Sequence, residues 1–259
     1  MADEELHYSD QFIAFLEMLW GEGYLSPGGP EEVALLLDGI RLAGKAVVDI
    51  GSGAGGITLS LVRDYSAAKV TGIDVEAPVC VRARRLVAEA GLEERIDIQL
   101  VEPGPVPLAE ASQDIVFSKD AIVHIPDKEA LARDAFRLLR SGGWFVASDW
   151  LIAHDDAPSP EMAYYLEKED LGFGMASPRR YRQALEDAGF TDVTFRNRNR
   201  WYLGCAREEV ARLLGPERPE FEAIIGIEGL ATLIEPWEAI IPVLESDEHC
   251  PHHFRGRKP

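Results

Sequence analysis

Three cysteines in 259 residues, Cys80, Cys205 and Cys250, are too few, too scattered and odd in number for a disulfide framework, and they fit a reducing compartment. Basic residues are scarce too: 26 Lys and Arg stand against 45 Asp and Glu, a formal net charge of −19. Binding a nucleic-acid backbone relies on clustered Lys and Arg that displace counterions, so duplex DNA and anionic membrane surfaces are poor partners. No apolar run approaches the ~20 residues of a membrane span. The N-terminus, MADEELHYSD, lacks the basic and apolar regions of a signal peptide, so a cytoplasmic location is expected. Internal repeats and Ser/Gly-rich linkers are also missing. What is present is ample apolar material, 46% of residues, which suits a large core and is too much for a disordered acidic chain. His249-Cys250-Pro251-His252-His253 has no second ligand pair at suitable spacing, so no metal site is expected.

Hydrophobic period orders the elements. Residues 10–20 and 30–41 have helical spacing. Short β-branched runs at 46–50, 69–74, 95–102, 114–118 and 144–150 then alternate with helical stretches at 57–65, 78–91 and 127–140, the last stopped by Ser141-Gly142-Gly143. A helix at 178–188, a strand at 190–203, helices at 206–214 and 220–244 broken at Gly226, Gly229, Pro236 and Pro242, and a closing strand in HHFRGRKP complete the reading. On the 190–203 strand, Arg196, Arg198 and Arg200 share one face, most simply a solvated edge. The expected fold is α/β: a Rossmann-like, doubly wound, seven-stranded, mostly parallel sheet. It forms a single domain, with an N-terminal helical lid (1–42), a cofactor-binding core (43–150), and a helical substrate cap with the last strands (151–259).

Between the first strand and its helix lies Asp49-Ile50-Gly51-Ser52-Gly53-Ala54-Gly55-Gly56, where glycines permit a tight turn and close approach of a nucleotide. Asp74 ends the next strand, at the right distance to take both hydroxyls of a ribose. A nucleoside cofactor follows. Gly51, Gly53 and Gly56 also satisfy GxGxxG, so a dinucleotide, and with it a nicotinamide-dependent oxidoreductase, stays open as a distant alternative.

Asp49 two residues before the first glycine gives DxGxGxG, which resembles motif I of the class I methyltransferases and favours S-adenosylmethionine; there the acid end lies near the cofactor's methionine part. From residue 7 to 150, HYSDQFIAFLEMLWGEGYLSPGG, VVDIGSGAGG, GIDVE and FSKDAIVHIPDKEAL are similar in order and spacing to the phosphoethanolamine N-methyltransferases and their relatives acting on small amines. The resemblance implies Tyr8 in a lid, paired with His124, and Asp120 beside them. The four-residue spacing of Asp120 and His124 predicts one face of a helical turn. The resemblance further implies that Leu25, Ser26 and Gly28 close over the cofactor, with Gly51, Ser52, Gly53, Gly55, Asp74 and Val75 around it, Glu102 near the adenine and the Ser118 carbonyl on the methionine part. His124 would take a proton from the attacking amine while Tyr8 and Asp120 hold the nitrogen and the lid.

The acceptor site is expected around Leu16, Lys119, Trp150, Tyr165 and Glu169, and here the chain departs from the family. A phosphate-contacting tyrosine becomes Trp150, a second is Tyr165, an arginine and a further tyrosine become Glu169 and Leu171, and a lysine falls around Ile240. A glutamate in place of that arginine repels phosphate. The expected function is therefore methyl transfer from S-adenosylmethionine to a small polar acceptor, on an amine nitrogen and without phosphate, by a monomer or homodimer. The rivals are phosphobase methylation with Arg179, Arg180 or Arg200 as phosphate ligands, O-methylation of a natural-product intermediate, and a cofactor-binding protein without turnover. Acidity is densest outside the core: residues 1–42 and 217–248 each carry nine acids and one base.

Overall fold

The computed structural model describes residues 8–169 and 172–259. Helices α1 (Asp10–Trp20) and α2 (Gly29–Leu36) lead into β1 (Ala46–Ile50), α3 (Gly56–Arg63), β2 (Lys69–Asp74), α4 (Ala77–Glu89), β3 (Ile96–Leu100) and β4 (Gln113–Lys119). A 3-10 turn at Ile122–His124, α5 (Lys128–Leu138) and β5 (Leu139–Asp149) follow, then α6 (Pro160–Glu169), α7 (Pro178–Ala188), β6 (Thr191–Asn197), α8 (Asn199–Leu214), α9 (Arg218–Ile225), α10 (Ile227–Glu245) and β7 (His252–Arg257). The seven strands form one sheet in the order β3-β2-β1-β4-β5-β7-β6, parallel except for β7, which runs antiparallel to both neighbours. Strand order reverses between β1 and β4, and the crevice at the carboxyl ends of such strands is where open α/β sheets bind ligands.

Alternation along β1 sends Val47 into one core layer, with Leu36, Leu61 and Val87, and Val48 into the other, with Leu138, Phe145 and Tyr181. Side-chain caps start several helices: Ser9 accepts from the Phe12 N–H, Asp127 from Ala130 and Ser177 from Arg180. Among the described residues no helix is long and apolar enough to cross a membrane.

Three local expectations change. The predicted strand at 190–203 ends at Asn197, and α8 takes up the rest. Asn197 Oδ1 accepts the Asn199 N–H, Asn199 Nδ2 donates to Leu244 O at 2.9 Å, and Arg198 pairs with the buried Glu32 of α2. The three arginines therefore share no strand face. Expected breaks at Gly229, Pro236 and Pro242 do not interrupt α10, whose buried Leu230, Ile234, Ala239 and Val243 outweigh the local cost of proline. Ser141-Gly142-Gly143 lies inside β5, in a bulge between Leu139 and Trp144 where the Gly142 N–H donates to Lys258 O. The terminal histidines diverge, Nδ1 of His249 to Leu151 O, Nδ1 of His252 to Cys250 O and His253 to Glu32.

Candidate active site

Two adjoining cavities occupy the crevice, one of about 1060 Å³ and one of about 90 Å³; Tyr8, Leu25, Ser26, Asp120 and His124 line both. The larger is built on the turn after β1. Gly51 has φ +72, and a Cβ there would lie 2.2 Å from the Ala121 Cβ; a Cβ on Gly56 would lie 2.7 Å from the Gly23 backbone, whose carbonyl accepts the Gly56 N–H. The α1–α2 connection thus rests directly on the glycine loop. Gly51, Ser52 and Gly53 line the cavity, as do Val75 and Glu102. Asp74 lines it too, its carboxylate accepting the N–H groups of Gly53 at 2.8 Å and Glu76 at 3.0 Å, with burial raising its pKa. Ser52 Oγ is buried and finds no partner among the described residues. An orphaned hydroxyl, two carboxylates and apolar walls of Ile73, Val101 and Leu131 suit a nucleoside.

Three expected cofactor contacts stand off the cavity wall. Asp49 is 1% exposed and off the cavity wall, accepting a 2.6 Å bond from Thr58 Oγ1, and burial pushes its carboxyl up to about 7. Gly28 packs against Trp201 and Glu32, and Gly55 against Ala83. Ser118, expected to offer its carbonyl, lies in β4 with its side chain fully buried and its hydroxyl donating to Ile50 O.

At the junction, Asp120 has φ +54 and precedes the 3-10 turn, so it and His124 do not share a helical face. Its carboxylate accepts from Lys119 Nζ at 2.6 Å, Ser148 Oγ at 2.7 Å and Tyr202 Oη at 2.7 Å. Burial alone would raise its pKa, but the Lys119 ammonium and these donors hold it below the usual range. Lys119, expected at the acceptor, lines only the larger cavity and donates to Ser26 Oγ and Pro27 O, tying β4 to the α1–α2 connection. Burial and the nearby Asp74 and Glu169 raise the Tyr8 pKa, so its phenol stays protonated. His124 packs against Phe173 with ring centroids 5.2 Å apart.

Leu16, Trp150, Tyr165 and Glu169 line the smaller cavity; Leu171 lies outside the described residues. Burial pushes the Glu169 carboxyl up to about 7. Sequence reasoning missed much of the wall. Glu209 of α8, also pushed by burial to about 7, accepts from the indoles of Trp20 at 2.7 Å and Trp237 at 3.1 Å. Phe12, Trp20, Phe173, Tyr202 and Trp237 supply aromatic faces. A signal existed: Phe12, Leu16 and Trp20 repeat every four residues, and Tyr202, Cys205, Ala206 and Glu209 have helical spacing once 199–214 is read as a helix.

Residues 48–147 match a family described as a methyltransferase domain. A phosphoethanolamine N-methyltransferase 1 of Triticum aestivum is 31% identical over 208 residues, 80% of this chain and 41% of the relative. A dimethylglycine N-methyltransferase of Parasynechococcus marenigrum is 38% identical over 57% of this chain and 52% of its own length. A Haemonchus contortus phosphoethanolamine N-methyltransferase 2, solved with phosphomonomethylethanolamine and S-adenosylhomocysteine, shares the fold with a TM-score of 0.89 at 23% identity, over 98% of this chain and 59% of that one. The chain spans about half the length of the curated relatives it matches. Residues 48–147 thus carry a methyltransferase domain on this seven-stranded sheet.

Proposed function

We propose that the chain transfers a methyl group from S-adenosylmethionine to the nitrogen of a small cationic amine that carries no phosphate. One observation carries the reading: the smaller cavity has aromatic walls and the carboxylates of Glu169 and Glu209, and among the described residues no Lys or Arg lines it. Aromatic faces attract cations, and buried carboxylates without a guanidinium favour an ammonium over a phosphate. The relatives' names support transfer to nitrogen. They also favour the second reading, a phosphobase acceptor. That reading needs a cation at the cavity, whereas Arg179 pairs with Asp155, Arg180 with Glu129, and Arg200 is exposed.

Asp74, Glu102, Ser52 and the glycine loop would hold the nucleoside, with Tyr8, Leu25 and Ser26 closing over it. Bound there, the cofactor supplies an electrophilic methyl group on a sulfonium. The protein's task is then alignment and exclusion of water. An amine attacks only unprotonated, and histidine titrates near neutrality, which suits His124 to take the proton directly or through water. Tyr8, kept protonated between the two cavities, orients the nitrogen. Asp120, saturated by three donors, acts as a positioning residue for the loop that carries His124. The test is an acceptor screen with detection of S-adenosylhomocysteine. Turnover is expected with small amines and not with phosphoethanolamine, and phosphoethanolamine as the preferred acceptor overturns the reading.

A further inference from the structure

Three buried polar atoms beside the smaller cavity find no hydrogen-bond partner among the described residues: Trp150 Nε1, Tyr165 Oη and His249 Nε2. Their rings pack together, with centroids 5.7 Å apart for Trp150 and His249 and 5.6 Å for Tyr165 and His249. Trp150 and Tyr165 line the cavity, His249 stands behind them, and Tyr165 and His249 are each 1% exposed. Buried polar groups in folded proteins are almost always paired, so three orphans in contact mark a place built for a polar group.

The chemistry of the set restricts that group. An indole N–H only donates. His249 Nδ1 lies 3.2 Å from Leu151 O, a carbonyl that only accepts, so the ring proton sits on Nδ1 and Nε2 presents a lone pair. Burial pushes this imidazole down to about 4, which keeps it neutral. The Tyr165 phenol donates or accepts. An anion would use the two donors but meet the His249 lone pair, with the Glu169 carboxylate also facing the cavity. An ammonium offers nothing to the Trp150 N–H. A hydroxyl accepts from the indole and donates onward to the Tyr165 and His249 side, and it alone of the three suits every member.

We infer that Trp150, Tyr165 and His249 form a hydroxyl subsite and that the acceptor is a small amino alcohol. This rests on the amine reading above and narrows it. Size agrees: about 90 Å³ is the share of roughly three liquid waters at ~30 Å³ each, the size class of a short amino alcohol.

The test compares ethanolamine and 3-amino-1-propanol with their hydroxyl-free counterparts, ethylamine and propylamine, using wild type, Trp150→Phe and Tyr165→Phe. A site that hydrogen-bonds a substrate hydroxyl discriminates against the analogue lacking it. Wild type should prefer the amino alcohols at least about tenfold in kcat/KM, and each variant should collapse that ratio toward one. Equal use of both amine types by wild type, or an unchanged ratio in both variants, overturns the subsite and leaves the amine reading standing. Turnover of phosphoethanolamine with neither amine type overturns both. The wild-type ratio stands even if a variant fails to fold, and thermal melts with S-adenosylhomocysteine titrations identify such a variant.

Discussion

Glu169 ends α6 on the wall of the smaller cavity, near enough to raise the pKa of both Tyr8 and Tyr165. At about 7 its own carboxyl changes charge within the working range. Above that value it is ionised and attracts an ammonium; below it the attraction is lost. The kcat/KM for an amine should therefore fall as the pH is lowered through about 7, and Glu169→Gln should be about tenfold less active at pH 8 with a shallower acid limb. Glu209, held in the same range, supplies what remains of that limb. A pH–rate profile of the variant superimposable on wild type removes Glu169 from acceptor recognition. At this scale the sequence showed the residue and the oddity of its charge, but its burial comes from packing.

Helices α1, α6, α8 and α10 wall the smaller cavity, and long-range polar contacts hold the first of them in place. Arg82 of α4 donates to Glu17 of α1 through Nε at 3.0 Å and Nη2 at 2.9 Å, while Glu17 also accepts the Gly23 N–H at 2.8 Å. That pair ties α1 and the loop over the glycine turn to α4 and the sheet it covers. Both side chains are mostly buried, and hydrogen bonds between charged groups contribute about 1.5–3 kcal/mol. Arg82→Ala, which touches neither cavity, is expected to weaken S-adenosylhomocysteine binding about tenfold and to speed proteolysis within residues 10–28. Calorimetry and limited digestion measure these, and unchanged affinity with faster digestion would separate the contact from cofactor closure.

Across the whole molecule, acids buried without full compensation set the pH dependence of stability. Asp49, Glu169 and Glu209 all titrate near about 7 in the folded chain, against ordinary values near ~4. Between those limits the folded state binds more protons than the unfolded one, so these groups make stability fall as pH rises. On the acid side the sign reverses. Glu129, held at about 2 by Arg180, and Asp120, held low by Lys119, lose their stabilising charge, and neutral His249, held near about 4, resists protonation. The net charge of −19 adds repulsion as pH rises. Thermal denaturation should give a maximal Tm between about pH 5 and 6. A maximum above neutrality would show that these carboxylates are better compensated than their surroundings indicate.

Local pattern carried the fold a long way. β-branched runs separated by helical periods give the strand and helix order, and the glycine turn with Asp74 marks the wall of the larger cavity, because both depend on residues close in sequence. Where partners are remote, pattern failed. The strand expected at 190–203 gives way to α8 through Arg198 meeting Glu32 and Asn199 meeting Leu244, and Glu209 enters the pocket through Trp20, 189 residues away. Asp49 fails for another reason, burial beside the nearby Thr58, while Asp120 gives its carboxylate to its neighbour Lys119 and to the remote Ser148 and Tyr202. The sequence by itself determined the sheet, the glycine turn after its first strand and the sign of the charge at position 169. Only the tertiary structure decided which acids are compensated and which polar atoms are left unpaired, because desolvation and hydrogen-bond satisfaction depend on neighbours that the chain brings together only when it folds.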